Sequence, residues 1–286
     1  MGRFKRLRSI AVAAAAGALA ACGGSSASDT ETTLDRFDGK SSLDASFITY
    51  PPSMIVDANT GAYSGIMYEV AEKIAEKLNL ELEVGEETNW GNMIQHVDGG
   101  RAELIISGIW PSAARAKSAS FSDAVYYSPV YAYVRADDTR FDGDLGAAND
   151  PSVTIATLDG ELSAIVAASD FPSAGTESLP SGQDVSQLML QLTSNKADVT
   201  FVEPAIANAY AASNPETIKR VAGVDPVRVF PNTFLMRKGD TALAETVNVA
   251  IAELINSGEV DQVLNKYDPD GDQFLRVSKP YADKAE

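Results

Sequence analysis

The chain of 286 residues contains few side chains whose type and spacing could perform chemistry. It has one histidine, His96, and one cysteine, Cys22, and it lacks a Gly-rich phosphate loop, paired cysteines and a histidine cluster for a metal. His96 lies in a short stretch with helical spacing, where we expect a partly exposed residue and not a catalytic base. The sequence therefore predicts no cofactor and no metal, and it favours binding over catalysis.

The acidic stretch 268–272 places Asp at the first, third and fifth positions of a loop like that of a calcium-binding EF-hand. Position six is Gln273 where that loop requires Gly, and position twelve is Lys279 where it requires Glu. We interpret the stretch as a turn that ends a helix, with a calcium site as the less favoured alternative.

The amino terminus carries the pattern of an export signal. Four basic residues within positions 3–8 precede an apolar run at 10–21, which is too short to span a bilayer. The run ends Leu-Ala-Ala-Cys-Gly, which resembles a bacterial lipobox and predicts acylation of Cys22 after cleavage. The lipid would anchor the protein to the outer face of the bacterial cell membrane, in a periplasm or at the cell surface. A free Cys22 thiol behind an ordinary signal peptide is the alternative.

The composition is that of a soluble, acidic, globular protein, with 40 Asp and Glu, 23 Lys and Arg and a net charge of −17. Removal of residues 1–21 takes away four positive charges, so the net charge becomes −21. This charge argues against nucleic acid as a partner. Residues 22–43 are mostly small and polar, and they predict a flexible tether ahead of the folded body.

The body shows two successive copies of a β-α-β-α-β pattern, which predicts two α/β lobes with largely parallel sheets. The first copy has strands at 45–50, 80–84 and 103–107 and helices at 66–78 and 92–97. The second copy has strands at 153–157, 176–179 and 198–202 and helices at 162–168 and 185–192.

Two further strand-like runs, 130–135 and 227–236, bracket the second copy, so the chain would cross between the lobes twice. Two crossings form a hinge. Helices at 242–255 and 260–267 would then pack back on the first lobe. The carboxyl ends of the parallel strands would surround a cleft between the lobes, where a ligand is expected in open α/β folds.

Residues 45–267 resemble the extracellular solute-binding proteins of family 3, the polar amino-acid binders that feed ABC importers. The resemblance implies an α/β, two-lobed periplasmic-binding-protein (Venus-flytrap) fold with two hinge crossings. The motifs that carry it are Tyr50-Pro51-Pro52, Gly65 before a helix with Glu69, Asn89-Trp90, Gly100-Arg101-Ala102-Glu103, Ser112-x-x-Arg115, Phe121-Ser122-Asp123, Lys196-Ala197-Asp198 and Lys266-Tyr267. The predicted boundaries are 1–21 lipoprotein signal peptide, 22–43 tether, 44–135 first part of lobe 1, 136–227 lobe 2, 228–270 return to lobe 1 with the C-terminal helices, and 271–286 tail.

In this family the Arg six residues before the Phe-Ser pair binds the carboxylate of the ligand, and here that residue is Arg115. A guanidinium offers two parallel donors that match a carboxylate. The alternative is a surface Arg paired with an acid. Gly108 would let backbone N–H groups approach an anionic ligand, or it would simply form a turn after a strand. Pro111 and Ser112 suit the start of a short helix.

The acid that holds the ligand's ammonium group in the family corresponds to Glu203, which follows the strand after Lys196-Ala197-Asp198. The family more often has Asp at this place. The alternative is a helix-start residue that interacts with the helix dipole.

Two positions depart from the family pattern. Trp110 stands where a small hydroxyl residue is common, and Glu161 follows Gly160 where Thr-Thr is common. A carboxylate at 161 would repel an anionic head group. Together with Trp90, Tyr50 and Glu203, these residues suit a cationic or amino-bearing ligand through cation–π and ion-pair contacts. The alternatives are that Glu161 faces solvent in the first turn of a helix and that Trp90 packs as core.

These observations predict a lipid-anchored, monomeric binding protein that closes on an amino acid or related amino-bearing solute and delivers it to the permease of an ABC transporter. Two other functions remain open. One is a dehydratase-like enzyme on the same fold, in which Glu161 or Glu203 would act as the general acid or base. The other is a solute-sensing partner of a membrane receptor.

Overall fold

The structure is a computed structural model that describes residues 41–278. The predicted signal peptide, Cys22, the tether up to residue 40 and residues 279–286 lie outside the described residues. None of the helices within residues 41–278 combines the length and the hydrophobicity needed to cross a bilayer.

The order of strands and helices follows the sequence prediction closely. The strands are β1 (Ser42–Phe47), β2 (Ile55–Val56), β3 (Tyr63–Ser64), β4 (Glu81–Glu87), β5 (Leu104–Ile109), β6 (Ala119–Phe121), β7 (Tyr126–Arg135), β8 (Thr154–Leu158), β9 (Gly175–Leu179), β10 (Val199–Val202), β11 (Ile218–Arg220), β12 (Arg228–Arg237) and β13 (Leu275–Arg276). The helices are α1 (Ile66–Lys77), α2 (Met93–Asp98), α3 (Leu162–Asp170), α4 (Gln187–Thr193), α5 (Pro204–Ser213), α6 (Thr241–Asn256) and α7 (Glu259–Tyr267). Two 3-10 helices cover Arg115–Lys117 and Leu145–Ala148.

Lobe 1 is built on the parallel strands β4, β1 and β5, in that spatial order. α1 covers this sheet with one continuous apolar face, because its hydrophobic residues recur at three and four positions. The buried residues of α1 are Ile66, Met67, Val70, Ala71, Ile74 and Ala75. Helices α6 and α7 pack against α1 and join the same hydrophobic core, as expected for helices that return to lobe 1.

Lobe 2 repeats the arrangement with β10, β8 and β9, which pair in parallel, and with α3, α4 and α5 around them. Its core is formed by apolar residues of these strands and helices, among them Ile155, Val166 and Phe201. The strand β11 adds to the other side of β7 in antiparallel fashion. Both lobes therefore have the parallel α/β architecture that their sequence pattern predicts.

The two crossings are the long antiparallel strands β7 and β12. Tyr126–Val130 of β7 pairs with Arg228–Asn232 of β12, and this section belongs to the hinge. Beyond it β7 enters the sheet of lobe 2 beside β10, and β12 enters the sheet of lobe 1 beside β5 and β6. The two strands thus pair with each other in the hinge, and each continues into the sheet of one lobe. The predicted double crossing is present.

Small differences from the predictions occur at the edges of the body. β1 begins at Ser42, within the predicted tether that ends at residue 43. The predicted tail from 271 contributes β13, which pairs with β7, and its Phe274 is buried against the Tyr126 ring. Helical structure after Pro111 begins only at Arg115, as a short 3-10 helix.

The structure contradicts the prediction for His96 and agrees with the prediction for the acidic stretch 268–272. His96 is buried in α2 and not partly exposed as predicted. The Asp268 carboxylate accepts hydrogen bonds from the backbone N–H groups of Gly271, Asp272, Gln273 and Phe274. These bonds close the turn that ends α7, as the sequence predicts.

Candidate functional site

A small cavity lies between the two lobes. Lobe 1 contributes the segments that follow β1 and β4, the end of β5 and the segment after it, and lobe 2 contributes the start of α3. The lining residues are Tyr50, Trp90, Gly108, Trp110, Arg115, Glu161 and Leu162. The structure thus brings six of the seven predicted ligand residues to one cavity, and Leu162 is the lining residue that sequence reasoning missed.

The seventh predicted residue, Glu203, lies directly behind Tyr50. The Tyr50 hydroxyl lies 2.5 Å from Oε2 of Glu203 and 3.2 Å from Oε1 of Glu161, and these two carboxylates share its single donor proton. All three side chains are buried. Because Tyr50 belongs to lobe 1 and both acids belong to lobe 2, these hydrogen bonds hold the lobes together across the cleft.

Glu161 caps the amino terminus of α3. Its carboxylate accepts from the backbone N–H of Ser163 at 2.8 Å and from the Ser163 hydroxyl at 2.6 Å. The alternative of a solvent-facing residue in the first turn is wrong, because Glu161 is the N-cap and is 2% exposed. Burial raises the pKa of Glu161, and the hydrogen bonds from Ser163 and Tyr50 oppose that rise.

Glu203 stands immediately before Pro204 at the start of α5. The pKa of Glu203 is raised to about 7, mainly by burial and also by the nearby charge of Glu161, while the Tyr50 hydrogen bond opposes the rise. Glu203 is therefore at the start of a helix, as the alternative interpretation proposed, but its carboxylate is directed at Tyr50 of the other lobe. Two buried carboxylates near one phenol form a strongly electronegative site.

Arg115 supplies the positive charge of the cavity lining. It donates to the carbonyl oxygen of Trp110 at 2.8 Å and to the carbonyl oxygen of Gly160 in lobe 2. Its partners are thus backbone carbonyls and not the surface acid of the alternative interpretation. Burial lowers the pKa of Arg115 and the charge of Glu161 raises it, yet a guanidinium stays protonated at any physiological pH.

The two tryptophans are fixed by aromatic contacts. Trp110 stacks on Phe230 with ring centroids 4.2 Å apart and planes 6° apart, and its Nε1 donates to Oδ1 of Asn232 at 3.2 Å. Trp90 meets Tyr50 edge to face at 5.4 Å. Trp90 is also part of a hydrophobic core that includes residues of both lobes, so it lines the cavity and packs at the same time.

Gly108 lies inside β5 and not in a turn after it. A Cβ atom at Gly108 would lie 2.5 Å from Oδ1 of Asn232 and 2.8 Å from Oγ of Ser53, both far inside van der Waals contact. Close packing against these two buried side chains is therefore sufficient to require glycine here.

The cavity is small. The space that the centre of a water molecule could occupy is about 10 Å³, which is room for about one water molecule. An amino acid would fit only after the lobes separate and the Tyr50 hydrogen bonds break. The two strands of the hinge are the part of the described chain about which such a separation would occur.

The site also contains hinge residues that sequence reasoning missed. Ser128 of β7 and Asn232 of β12 are fully buried, and Phe230 of β12 packs on Trp110. The only available signal was that two polar residues interrupt strands that otherwise read as apolar. No residue spacing connects positions 110, 128 and 232, which come together only through the pairing of β5, β7 and β12.

The chain matches the model of the bacterial extracellular solute-binding proteins, family 3, over residues 45–269. It belongs to this family. The arginine-binding extracellular protein ArtP of Bacillus subtilis is 24% identical over 210 residues, which cover 71% of this chain and 77% of that protein. The family is extracellular, in agreement with the predicted export.

Solved structures of amino acid-binding proteins have the same fold. The substrate-binding protein of an amino acid ABC transporter is 27% identical, with a TM-score of 0.68 over 79% of this chain and 98% of that chain. An ancestral amino acid-binding protein, described as a precursor of cyclohexadienyl dehydratase, is 24% identical, with a TM-score of 0.71 over 82% of this chain and 99% of that chain. The predicted two-lobed fold is thereby confirmed.

Proposed function

We propose that this family 3 protein binds an amino acid or a related amino-bearing solute between its lobes and delivers it to the permease of an ABC importer. The observation that carries the proposal is the lining of the inter-lobe cavity. Arg115 and Glu161 both line this cavity, and Glu161 and Glu203 lie around the Tyr50 hydroxyl. A zwitterion matches this arrangement, because a guanidinium pairs with a carboxylate and buried carboxylates pair with ammonium groups.

The excess of acid favours a ligand with additional positive charge. Glu161 and Glu203 provide up to two negative charges against the single charge of Arg115, and burial makes an unpaired charge costly. A ligand with two amino-type groups and one carboxylate would balance all three. Trp90 and Trp110 add aromatic rings to the lining, which favours cations further. The Bacillus subtilis relative named for arginine binding is consistent with such a ligand.

Binding would work through closure of the cleft. A ligand that contacts Arg115 in lobe 1 and Glu203 in lobe 2 stabilises the closed arrangement by its difference in affinity for the two states. The proposed domain boundaries are lobe 1 from 42 to 135 and from 228 to 270, and lobe 2 from 136 to 227. Acylation of Cys22 would keep the folded body at the membrane beside the permease, as a monomer tethered by the residues between Cys22 and β1.

The test is a binding screen by thermal shift and calorimetry. The protein would be the chain from residue 22 with Cys22→Ser, which prevents acylation. The probes would be L-arginine, L-glutamine, L-glutamate, putrescine, a quaternary amine and glucose. A ligand at about a hundred times its Kd adds about 2.7 kcal/mol of stability, so binding is readily seen. Binding of glucose alone, or of no amino-bearing probe, would contradict the proposal.

An enzymatic function is the second candidate, and the pKa of about 7 at Glu203 favours it. A buried carboxyl with that pKa, hydrogen-bonded to Tyr50, could act as a general acid or base near neutral pH. The dehydratase precursor among the solved structures has the same fold. Proton NMR of each bound probe after prolonged incubation decides between the functions, because a binding protein releases its ligand unchanged.

The sensing function makes a different prediction. It would be supported by a ligand-dependent complex with a membrane receptor and by the lack of a complex with a permease.

A further inference from the structure

A second pocket lies outside the cleft, between helix α5 and strand β11 of lobe 2. Its volume is about 280 Å³. That is close to the lower limit for small-molecule sites, which is about 300 Å³. The cavity between the lobes, by comparison, has room for about one water molecule. The second pocket could therefore receive a small solute in the arrangement that the structure shows, with no separation of the lobes.

The pocket exists because short side chains of α5 face the strands. Pro204, Ala207, Asn208 and Ala211 line it, and this spacing places them on one face of the helix. The two alanines are too short to fill the space between the helix and the sheet. Asn208 is exposed, and its side-chain amide forms no hydrogen bond within residues 41–278. The helix thus contributes open space and one free polar group, which can both donate and accept.

Arg220 supplies a positive charge that forms no ion pair in the described part of the chain. It pairs with Tyr133 across β11 and β7, so the two side chains lie on one face of the sheet. Its guanidinium lies over the Tyr131 ring, 4.5 Å from the ring centroid, which is a cation–π contact. The neighbouring Lys219 differs, because its ammonium group pairs with Asp142 at 2.9 Å. Arg220 is therefore held in place by an aromatic ring while its donors stay available.

Tyr133 adds a donor inside the pocket. Its side chain lines the pocket and the residue is only 6% exposed. Its hydroxyl has no hydrogen-bond partner among the residues that the structure describes. Burial raises the pKa of Tyr133 to about 12, so the phenol keeps its proton at physiological pH. Because a mostly buried polar group without a partner costs free energy, an oxygen acceptor in the pocket would stabilise this arrangement.

Asp272 brings a negative charge to the pocket from another part of the chain. It belongs to the turn after α7, where its backbone N–H donates to Asp268 at 3.2 Å, and the following strand β13 pairs with β7. These contacts fix the turn beside lobe 2. The Asp272 carboxylate accepts no hydrogen bond and forms no ion pair within the described ranges, not even with Arg220. The pocket thus holds one unpaired charge of each sign.

We propose that this pocket is a second binding site for a small zwitterion of the amino-acid class, with its carboxylate on Arg220 and its ammonium group on Asp272. A ligand with one charge of each sign leaves the pocket without an unbalanced charge. A simple carboxylate would be repelled by Asp272 and by the net charge of −17, and a simple amine would be repelled by Arg220. Tyr133 would donate to the carboxylate as well. The proposal is independent of the proposed function, because none of the residues that line the cleft cavity lines this pocket.

The experiment places 3-fluorotyrosine at position 133 in the chain from residue 22 with Cys22→Ser and follows its fluorine-19 NMR signal. L-alanine is the zwitterionic probe, and acetate and methylamine each carry one of its two charges. We expect a saturable shift of the signal with L-alanine. Acetate and methylamine should bind about tenfold more weakly or not at all, because each lacks one charged partner.

Two substitutions at exposed positions test the charges, each with a matched control. Arg220→Gln and Asp272→Asn should each raise the Kd of L-alanine about tenfold, because a charged hydrogen-bonding partner is lost at a site that solvent still screens. Lys219→Gln, beside Arg220, and Asp270→Asn, in the same turn as Asp272, remove the same charges. Both controls should keep the Kd within about twofold, since Lys219 is paired with Asp142 and Asp270 does not line the pocket.

Binding in the cleft must be distinguished, because Glu203 is close enough to Tyr133 to raise its pKa. Arg115→Ala alters the cleft and should leave the Kd reported at position 133 unchanged. If that response is lost in Arg115→Ala and kept in Arg220→Gln, the signal reports on the cleft and the second site is wrong. Equal binding of acetate and L-alanine would overturn the role of Asp272. The absence of a saturable shift with all three probes would overturn the site as a whole, and neither result affects the proposed function of the cleft.

Discussion

The hydroxyl of Tyr50 in lobe 1 donates a 2.5 Å hydrogen bond to the buried carboxylate of Glu203 in lobe 2. The same hydroxyl lies 3.2 Å from Glu161, so one phenol joins two acids across the cleft. An ammonium group that entered the cleft would compete for the same oxygens. Tyr50 therefore takes the place in this closed arrangement that a bound amine would occupy next to Glu203.

Tyr50→Phe should shift the ligand-free protein towards an open arrangement. The substitution removes the donor to both acids while the edge-to-face contact with Trp90 remains possible. Loss of a hydrogen bond to a charged group costs about 1.5–3 kcal/mol, which is enough to change an equilibrium between lobes tenfold or more. Small-angle X-ray scattering without ligand should give a larger radius of gyration for Tyr50→Phe. Tyr127→Phe, a substitution in the hinge away from the cavity lining, is the matched control and should scatter like the parent chain.

Arg115→Ala should weaken the binding of a probe that has a carboxylate and should not weaken the binding of a probe that lacks one. Arg115 is the cation of the cavity lining, and it would bind a carboxylate. We expect the Kd of L-arginine to rise about tenfold to a hundredfold, as for loss of a charged hydrogen-bonding partner. Binding of putrescine, which has no carboxylate, should be unchanged or tighter.

The control for this experiment is Arg101→Ala. The Arg101 side chain is 67% exposed, and within the described chain its ion pair is with the surface acid Glu86, at 3.9 Å. A surface pair of this kind contributes little. Equal losses for L-arginine and putrescine in Arg115→Ala would show that the guanidinium supports the fold of the cleft and does not bind a carboxylate.

The strands and helices of this fold could be predicted because the spacing of apolar residues within a short segment of chain specifies each of them. Helix α1 and strand β5, for example, follow directly from apolar periodicity. Six lining residues could be predicted because they lie at strand ends or in motifs shared with the family. Ser128 and Asn232 could not, because a polar residue inside a strand says nothing about its partner. Their contacts depend on the register between β7 and β12 and on the space left at Gly108.

The stability of the ligand-free protein should fall as the pH rises through neutrality. The pKa of Glu203 is about 7 in the folded chain and near 4.5 in the unfolded chain. Between these values the folded state binds the additional proton, so the free energy of unfolding decreases as the pH rises. The full shift corresponds to about 3 kcal/mol, of which about 2 kcal/mol falls above pH 5.5. Urea unfolding at pH 5.5 and pH 8 should show this loss of about 2 kcal/mol in the parent chain.

Glu203→Gln should abolish much of that pH dependence and should be the more stable protein at pH 8, because a neutral amide has no charge to bury. Glu253→Gln, on the exposed face of α6, is the control and should follow the parent at both pH values. A parent chain that is as stable relative to Glu203→Gln at pH 8 as at pH 5.5 would show that Glu203 is ionised at both pH values in the folded state.

Two glycine substitutions should have opposite signs. Gly108→Ala would place a methyl group 2.5 Å from Oδ1 of Asn232 and 2.8 Å from Oγ of Ser53, and both of those side chains are buried and cannot move aside freely. Overpacking of this kind costs about 1–3 kcal/mol. Since Asn232 would be displaced, the fluorescence of Trp110 should change as well. This change can be measured in a Trp90→Phe background, where Trp110 is the single tryptophan of the chain.

At Gly182 an added Cβ would meet no atom within 4 Å, so Gly182→Ala should be neutral or stabilising by up to about 1 kcal/mol. Thermal unfolding of the two variants measures both effects, and equal stabilities would mean that the strand β5 can shift enough at Gly108 to accept a side chain.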